Sequence, residues 1–129
     1  MTFLLILWII IMLIGLCTED VYALFANGEI SFSFTWTPNW EHFLQLYPID
    51  TVSSFELFGH FIIFFILTCL IIEVVSNYAH ILVAAFTFAI FTEIIQVFFG
   101  RGADLYDILM DLLGIVVAIG DYYRLEESS

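Results

Sequence analysis

Apolar residues fill four stretches of this chain, and the polar residues collect between them. Phe3 to Cys17 contains no charge and closes at Glu19 and Asp20. Phe55 to Val75, Tyr78 to Phe99 and Asp104 to Gly120 follow, divided by Ser76-Asn77 and by Gly100-Arg101-Gly102. A helix of about 20 apolar residues matches the hydrocarbon thickness of a bilayer. The pattern therefore predicts an all-α fold, a polytopic membrane helical bundle of about four transmembrane helices. The spans are expected near residues 3–17, 55–75, 78–99 and 104–120, within a single membrane domain over 1–129. The first run is short for a span, so a cleaved signal peptide competes with a retained anchor helix. No Lys or Arg precedes the run, and Leu16 is too large for the position beside a lipoprotein cysteine, which favours the anchor.

Residues 18–54 form the one long polar loop. Ile30, Phe32, Phe34 and Trp36 alternate with Ser31, Ser33 and Thr35, a period-two pattern that reads as a strand or a membrane-skimming stretch. Thr37-Pro38 has the form of an N-cap and first helical residue. Trp40, Phe43, Leu44 and Tyr47 then recur at helical spacing until Pro48. An amphipathic interfacial helix is expected there, in an extracellular loop, with a small self-packed cap as the alternative.

Composition strengthens the membrane reading. Hydrophobic residues make up 63% of the 129, and mean hydropathy is +1.07, more apolar surface than a soluble domain of this size can bury. Charge narrows the partners. Fourteen acids face only Arg101 and Arg124, which excludes nucleic acid as a partner, because phosphate recognition needs clustered cations. Membrane lipids are the expected surroundings. Cys17 and Cys69 lie in apolar runs without a C-x-x-C pair, so neither a disulfide framework nor a cysteine-zinc site is expected. An even number of spans puts both termini on one side. Arg124 favours a cytoplasmic placement of the termini by the positive-inside rule, while Arg101 opposes it.

The candidate chemistry follows from where the spans begin and end. Span two starts, span three ends and span four starts at one membrane face. Glu56 and His60 are a turn apart at the start of span two, and Glu93 and Gln96 a turn apart near the end of span three. Asp104, Asp107 and Asp111 share one face of span four. At a helical rise of about 1.5 Å per residue, His60, Glu93 and Asp111 sit about 7–11 Å below the interface. Ionised groups at that depth turn toward protein or water, so these residues are expected to meet, with Arg101 the permanent cation among them. Ala85 and Ala89 on span three, and Gly114 and Ala118 on span four, form small-residue stripes that predict close packing of those two spans.

A buried network that fixes helix register accounts for the cluster without chemistry. A binding pocket does so with chemistry. His60 and the carboxylates are types that ligate divalent ions, yet no ligand spacing demands one, so no metal and no cofactor are assigned.

The segment that carries Glu93, Gln96, Gly100-Arg101, Asp104, Asp107, Asp111 and Gly114 resembles the VanZ-like membrane proteins. His60-Phe61 matches the family's other polar mark, and the likeness covers about residues 55–120. Leu57 replaces a customary lysine, and Asp111 a customary asparagine. The resemblance implies a multi-pass protein of the bacterial cell membrane. It also implies an accessory role that lowers susceptibility to lipid-tailed glycopeptides such as teicoplanin, without remodelling the peptidoglycan stem peptide. A lipoglycopeptide or a lipid-linked headgroup is then the expected ligand. The alternative is an enzyme acting on a lipid-linked headgroup at the outer interface, with His60 or Glu93 as general acid or base and Arg101 holding an anion. A small structural or transport subunit is a further alternative, and four thin helices would transport only as an oligomer.

Overall fold

Four of the helices begin where the sequence offers a side-chain oxygen to the free N–H groups of a first turn. In the computed structural model, which describes residues 1–129, Asp20 accepts from Ala23 N, Ser53 from Glu56 N, Asn77 from His80 N and Asp104 from Asp107 N. These caps open α2 (Val21–Asn27), α3 (Ser54–Ile72), α4 (Tyr78–Phe98) and α5 (Leu105–Ser128), after a first helix α1 (Thr2–Cys17). Left-handed glycines close two of them, Gly28 after α2 and Gly100 after α4, each at φ 69°. The fold is all-helical with no strand.

α3 and α4 are each long and apolar enough to cross a membrane. α1 and α2 form a broken third candidate, bent by 114°. α5 is longer than either, but Asp107, Asp111 and Asp121 interrupt its apolar sequence. It joins the bundle through its extensive packing on α3, so an arrangement of about four traversing helices is roughly consistent with the fold. The bundle carries apolar side chains on its outside and buries charged ones within. Val83, Leu113 and Val116 are more than 45% exposed, whereas Glu93 and Asp111 are fully buried. The apolar core joins Met12 and Leu16 of α1, Phe64 and Leu67 of α3, Ile81 and Ala85 of α4, and Ile115 of α5.

Four expectations are corrected. No helix forms over 38–47: Asn39 Oδ1 takes the Glu41 N–H at 2.9 Å, and Leu44 adopts φ 56°. Leu44 N donates to Ala103 O and Leu105 N to Gln45 O, so contacts with the start of α5 override the local helical spacing. The alternating stretch 30–36 is extended but is not a strand. Its Thr35 N donates to Phe98 O, and Phe34 packs on Phe98 and Phe99, strapping the loop across the end of α4. α5 does not stop at Gly120. No proline follows, and Tyr123 packs against Tyr78 with ring centroids 5.9 Å apart, which carries the helix on to Ser128.

The fourth correction concerns the stripe of small residues. Ala85, Ala89 and Ala118 are buried, but Gly114 meets α3 rather than α4. A Cβ at Gly114 would lie 2.4 Å from Phe61 O. The closest helix approach is therefore between spans two and four.

Candidate functional site

His60 lies at the centre of the buried polar groups. It leaves α3 toward α5, where Asp107 and Asp111 stand one helical turn apart and take opposite edges of its imidazole. Nδ1 lies 2.8 Å from Asp111 Oδ1, and Nε2 lies 3.8 Å from Asp107 Oδ1. The imidazole and the Asp111 carboxyl share one proton across this short bond, and Nδ1 donates it whenever Asp111 is ionised. From α4, Glu93 brings Oε1 to 3.8 Å from Nδ1. His60 is 4% exposed, Asp107 6%, and Glu93 and Asp111 not at all. Both Glu93 oxygens and Asp111 Oδ2 have no hydrogen-bond partner. Three carboxyl groups thus surround one imidazole that is largely shielded from water.

Three of the remaining expected residues, Glu56, Gln96 and Arg101, close the end of α1. A helix end in lipid leaves carbonyls that water cannot reach, so protein must supply donors. Gln96 Nε2 donates to Leu16 O at 3.2 Å, and Arg101 Nη1 to Thr18 O at 3.0 Å. Arg101 Nη2 also donates to Glu56 Oε1 at 3.2 Å. One guanidinium thereby fastens the end of α1 to the start of α3. Asp104 stands apart from the imidazole and serves as the N-cap of α5. The expected residues thus fall into three groups. His60, Glu93, Asp107 and Asp111 meet, Glu56, Gln96 and Arg101 tie down α1, and Asp104 starts a helix.

A cavity of about 510 Å³ opens beside these residues between α1, α2 and α3. Its wall is mainly apolar, with Trp8, Met12, Phe25, Phe55 and Ile63 prominent, and its polar boundary is Glu56, His60 and Arg101. Trp8 Nε1 donates to Ile63 O at 3.1 Å and so props one wall. On the other side of Glu56 lies a smaller recess of about 270 Å³, bounded by Tyr47, Thr51, Ser53 and Asp104.

The VanZ/LLP1 family model matches residues 1–126. The chain belongs to this family. It is 31% identical over 118 residues to the uncharacterized membrane protein YwnJ of Bacillus subtilis (strain 168), covering 89% of this chain and 84% of that one. No solved structure matches it.

For a VanZ/LLP1 protein, the family-like segment accounts for the polar groups but not for the cavity. Trp8 and Phe25 come from α1 and α2, where the sequence carries only an apolar run and a short helix. Trp8, the one residue of α1 with a side-chain N–H, was the available signal. Asp111, the departure from asparagine, is the closest partner of His60.

Proposed function

We propose that this VanZ/LLP1 protein holds the acyl tail of an amphiphile in the cavity between α1, α2 and α3, and through this lowers susceptibility to lipid-tailed glycopeptides such as teicoplanin. The observation that carries the reading is an apolar cavity continuous with a polar boundary at Glu56, His60 and Arg101. Binding sites of a few hundred Å³, mostly apolar with a few placed polar groups, suit a ligand of this amphiphilic kind. The tail would lie against Trp8, Met12 and Phe55, and the headgroup against the recess beyond Glu56. Membrane lipids, a lipid-linked headgroup and a lipoglycopeptide share that chemistry. The proposed setting is the bacterial cell membrane with the termini in the cytoplasm, which turns the cavity's polar end toward the outer face.

Gly15 supplies the test, because it lines the cavity and a Cβ there meets nothing within 4 Å. Gly15→Phe places a bulky side chain in the cavity from a position where its first carbon meets nothing. A susceptible Gram-positive host expressing the natural protein is expected to tolerate more teicoplanin, with no change toward vancomycin, which lacks the lipid tail. Cells expressing Gly15→Phe at equal membrane abundance are expected to lose that difference. Equal protection by both proteins, or none by the natural one, would overturn the reading.

A second reading is favoured by the 2.8 Å bond between His60 and Asp111. A carboxylate that holds an imidazole in one tautomer prepares its other nitrogen as a general base, here toward a lipid-linked headgroup. This enzyme reading requires expression to change the host's lipid or lipid-linked precursor profile. An unchanged profile in extracts leaves only the binding role.

A further inference from the structure

We propose that His60, Glu93 and Asp107 form a binding site for one divalent transition-metal ion, with Asp111 orienting the imidazole. The ligands come from three different helices, α3, α4 and α5, and one ligand atom from each lies within 4.8 Å of the others.

The first observation is the pair of unpartnered oxygens on Glu93. A network that only fixes helix register would satisfy its carboxylates, since a buried acceptor without a partner costs about 1–3 kcal/mol. Here Glu93 is fully buried, accepts no hydrogen bond on either oxygen, and points at His60. The second observation is the balance of charge. Arg101, the one guanidinium at this end of the bundle, is engaged by Glu56 and by Thr18 O. It leaves Glu93, Asp107 and Asp111 to a single imidazole. A divalent cation bound here would hold Glu93 and Asp107 as carboxylates and give the bare oxygens of Glu93 a partner.

Geometry agrees. His60 Nδ1 is occupied by Asp111, which leaves Nε2 as the ligand nitrogen, facing Asp107 Oδ1 at 3.8 Å. With metal–ligand bonds of about 2.1–2.2 Å, that separation subtends an angle of roughly 120–130° at the ion. That angle is ordinary for an ion bridging the two atoms, and Glu93 Oε1, 3.8 Å from Nδ1 of the same ring, would turn toward Nε2 to complete the set. A carboxylate on the far nitrogen of a metal-bound histidine is the usual device for fixing tautomer and ring orientation. One imidazole among carboxylate oxygens suits Mn²⁺ or Zn²⁺ rather than a soft, thiolate-seeking ion. The ion would sit beside the cavity that His60 borders, but its binding does not depend on what fills that cavity.

The test uses the full-length protein purified in detergent and stripped with EDTA. Free Mn²⁺ is followed by its paramagnetic resonance signal as protein is added. Uptake of one Mn²⁺ per chain, reversed by Zn²⁺, is expected. Pulsed measurements on the bound ion should show coupling to a single imidazole nitrogen, and should still do so after exposed His42 and His80 are both changed to Gln. Glu93→Gln and Asp107→Asn are each expected to weaken uptake by at least about a hundredfold, and Asp111→Asn by roughly tenfold, in the range of lost metal-shell partners. Glu126→Gln, on the exposed tail of α5, should change nothing. No stoichiometric uptake by the natural protein, or a bound ion with no nitrogen coupling, would overturn the proposal. Undiminished uptake by Glu93→Gln would overturn it equally.

Discussion

Gly114 shows how strongly one residue can constrain a bundle in lipid. Helices in lipid gain little from burying apolar side chains, so close backbone approach and van der Waals contact hold them together. At Gly114 the approach is so close that a Cβ would meet three backbone atoms of α3 within 3.3 Å, with Phe61 O nearest. Backbone cannot rotate away as a side-chain tip can. Gly114→Ala should therefore destabilise the protein by about 1–3 kcal/mol, the usual cost of overpacking. Gly120→Ala, on the same helix with nothing within 4 Å, should be close to neutral. Unfolding in mixed detergent micelles measures both, and equal stability of the two variants would refute the close contact. Much of the polar residue set was legible in the sequence. Helical spacing gave Asp107 and Asp111 one face, and helix rise gave His60 and Glu93 a common depth. Their division of labour was not legible. Glu93 and Gln96 share a side of α4, but whether each meets α3 or α1 depends on how the neighbouring helices are arrayed around it, which spacing within one helix cannot supply.

α1 illustrates the same limit for a whole element. Sixteen residues make a helix of about 24 Å, shorter than a hydrocarbon core of about 30 Å. Its C-terminal carbonyls at Leu16 and Thr18 take their donors from Gln96 and Arg101. The apolar run disclosed the helix but not its need for donors from elsewhere in the chain. The loop was read less well for a related reason. Trp40, Phe43, Leu44 and Tyr47 have helical spacing, yet the bonds that decide their backbone run to Ala103 and Leu105, about sixty residues away. Cys17 reports directly on the anchoring of α1. It is 5% exposed and lies beside the Arg101 contact at Thr18. In detergent, the natural protein should protect Cys17 from maleimide. Arg101→Ala removes charge-assisted bonds worth about 1.5–3 kcal/mol each where shielded, less at the partly exposed Glu56, and should speed labelling of Cys17 by tenfold or more, about 1.4 kcal/mol in local opening. Unchanged labelling would mean that Gln96 and the apolar core hold α1 without the guanidinium.

At the scale of the whole molecule, charge alone barely specifies an orientation in the membrane. With Arg101 and Arg124 at opposite ends of α5, the positive-inside preference nearly cancels. Their environments break the tie. Arg101 is 12% exposed on its side chain and bonded to Glu56 and Thr18 O, so it is part of the packed bundle. Arg124 is 79% exposed on its side chain and 3.8 Å from Asp121, so it is the arginine free to act in the positive-inside preference. The strap over 30–36 and the aromatic loop behind it carry no Lys or Arg, so nothing in them favours the cytoplasmic side. The expected arrangement puts the loop and the α4–α5 junction outside, and the α3–α4 turn and both termini inside. Single cysteines at positions 33, 102, 76 and 129, introduced after Cys17 and Cys69 are changed to Ala, test it in intact cells with a membrane-impermeant maleimide. Positions 33 and 102 should label at once, and positions 76 and 129 only after permeabilisation. The reverse pattern would keep the helix packing intact but turn the polar end of the cavity to the cytoplasm. An antibiotic that acts outside the cell could then not enter it from its polar end, and the proposed role toward teicoplanin would fail on geometry alone.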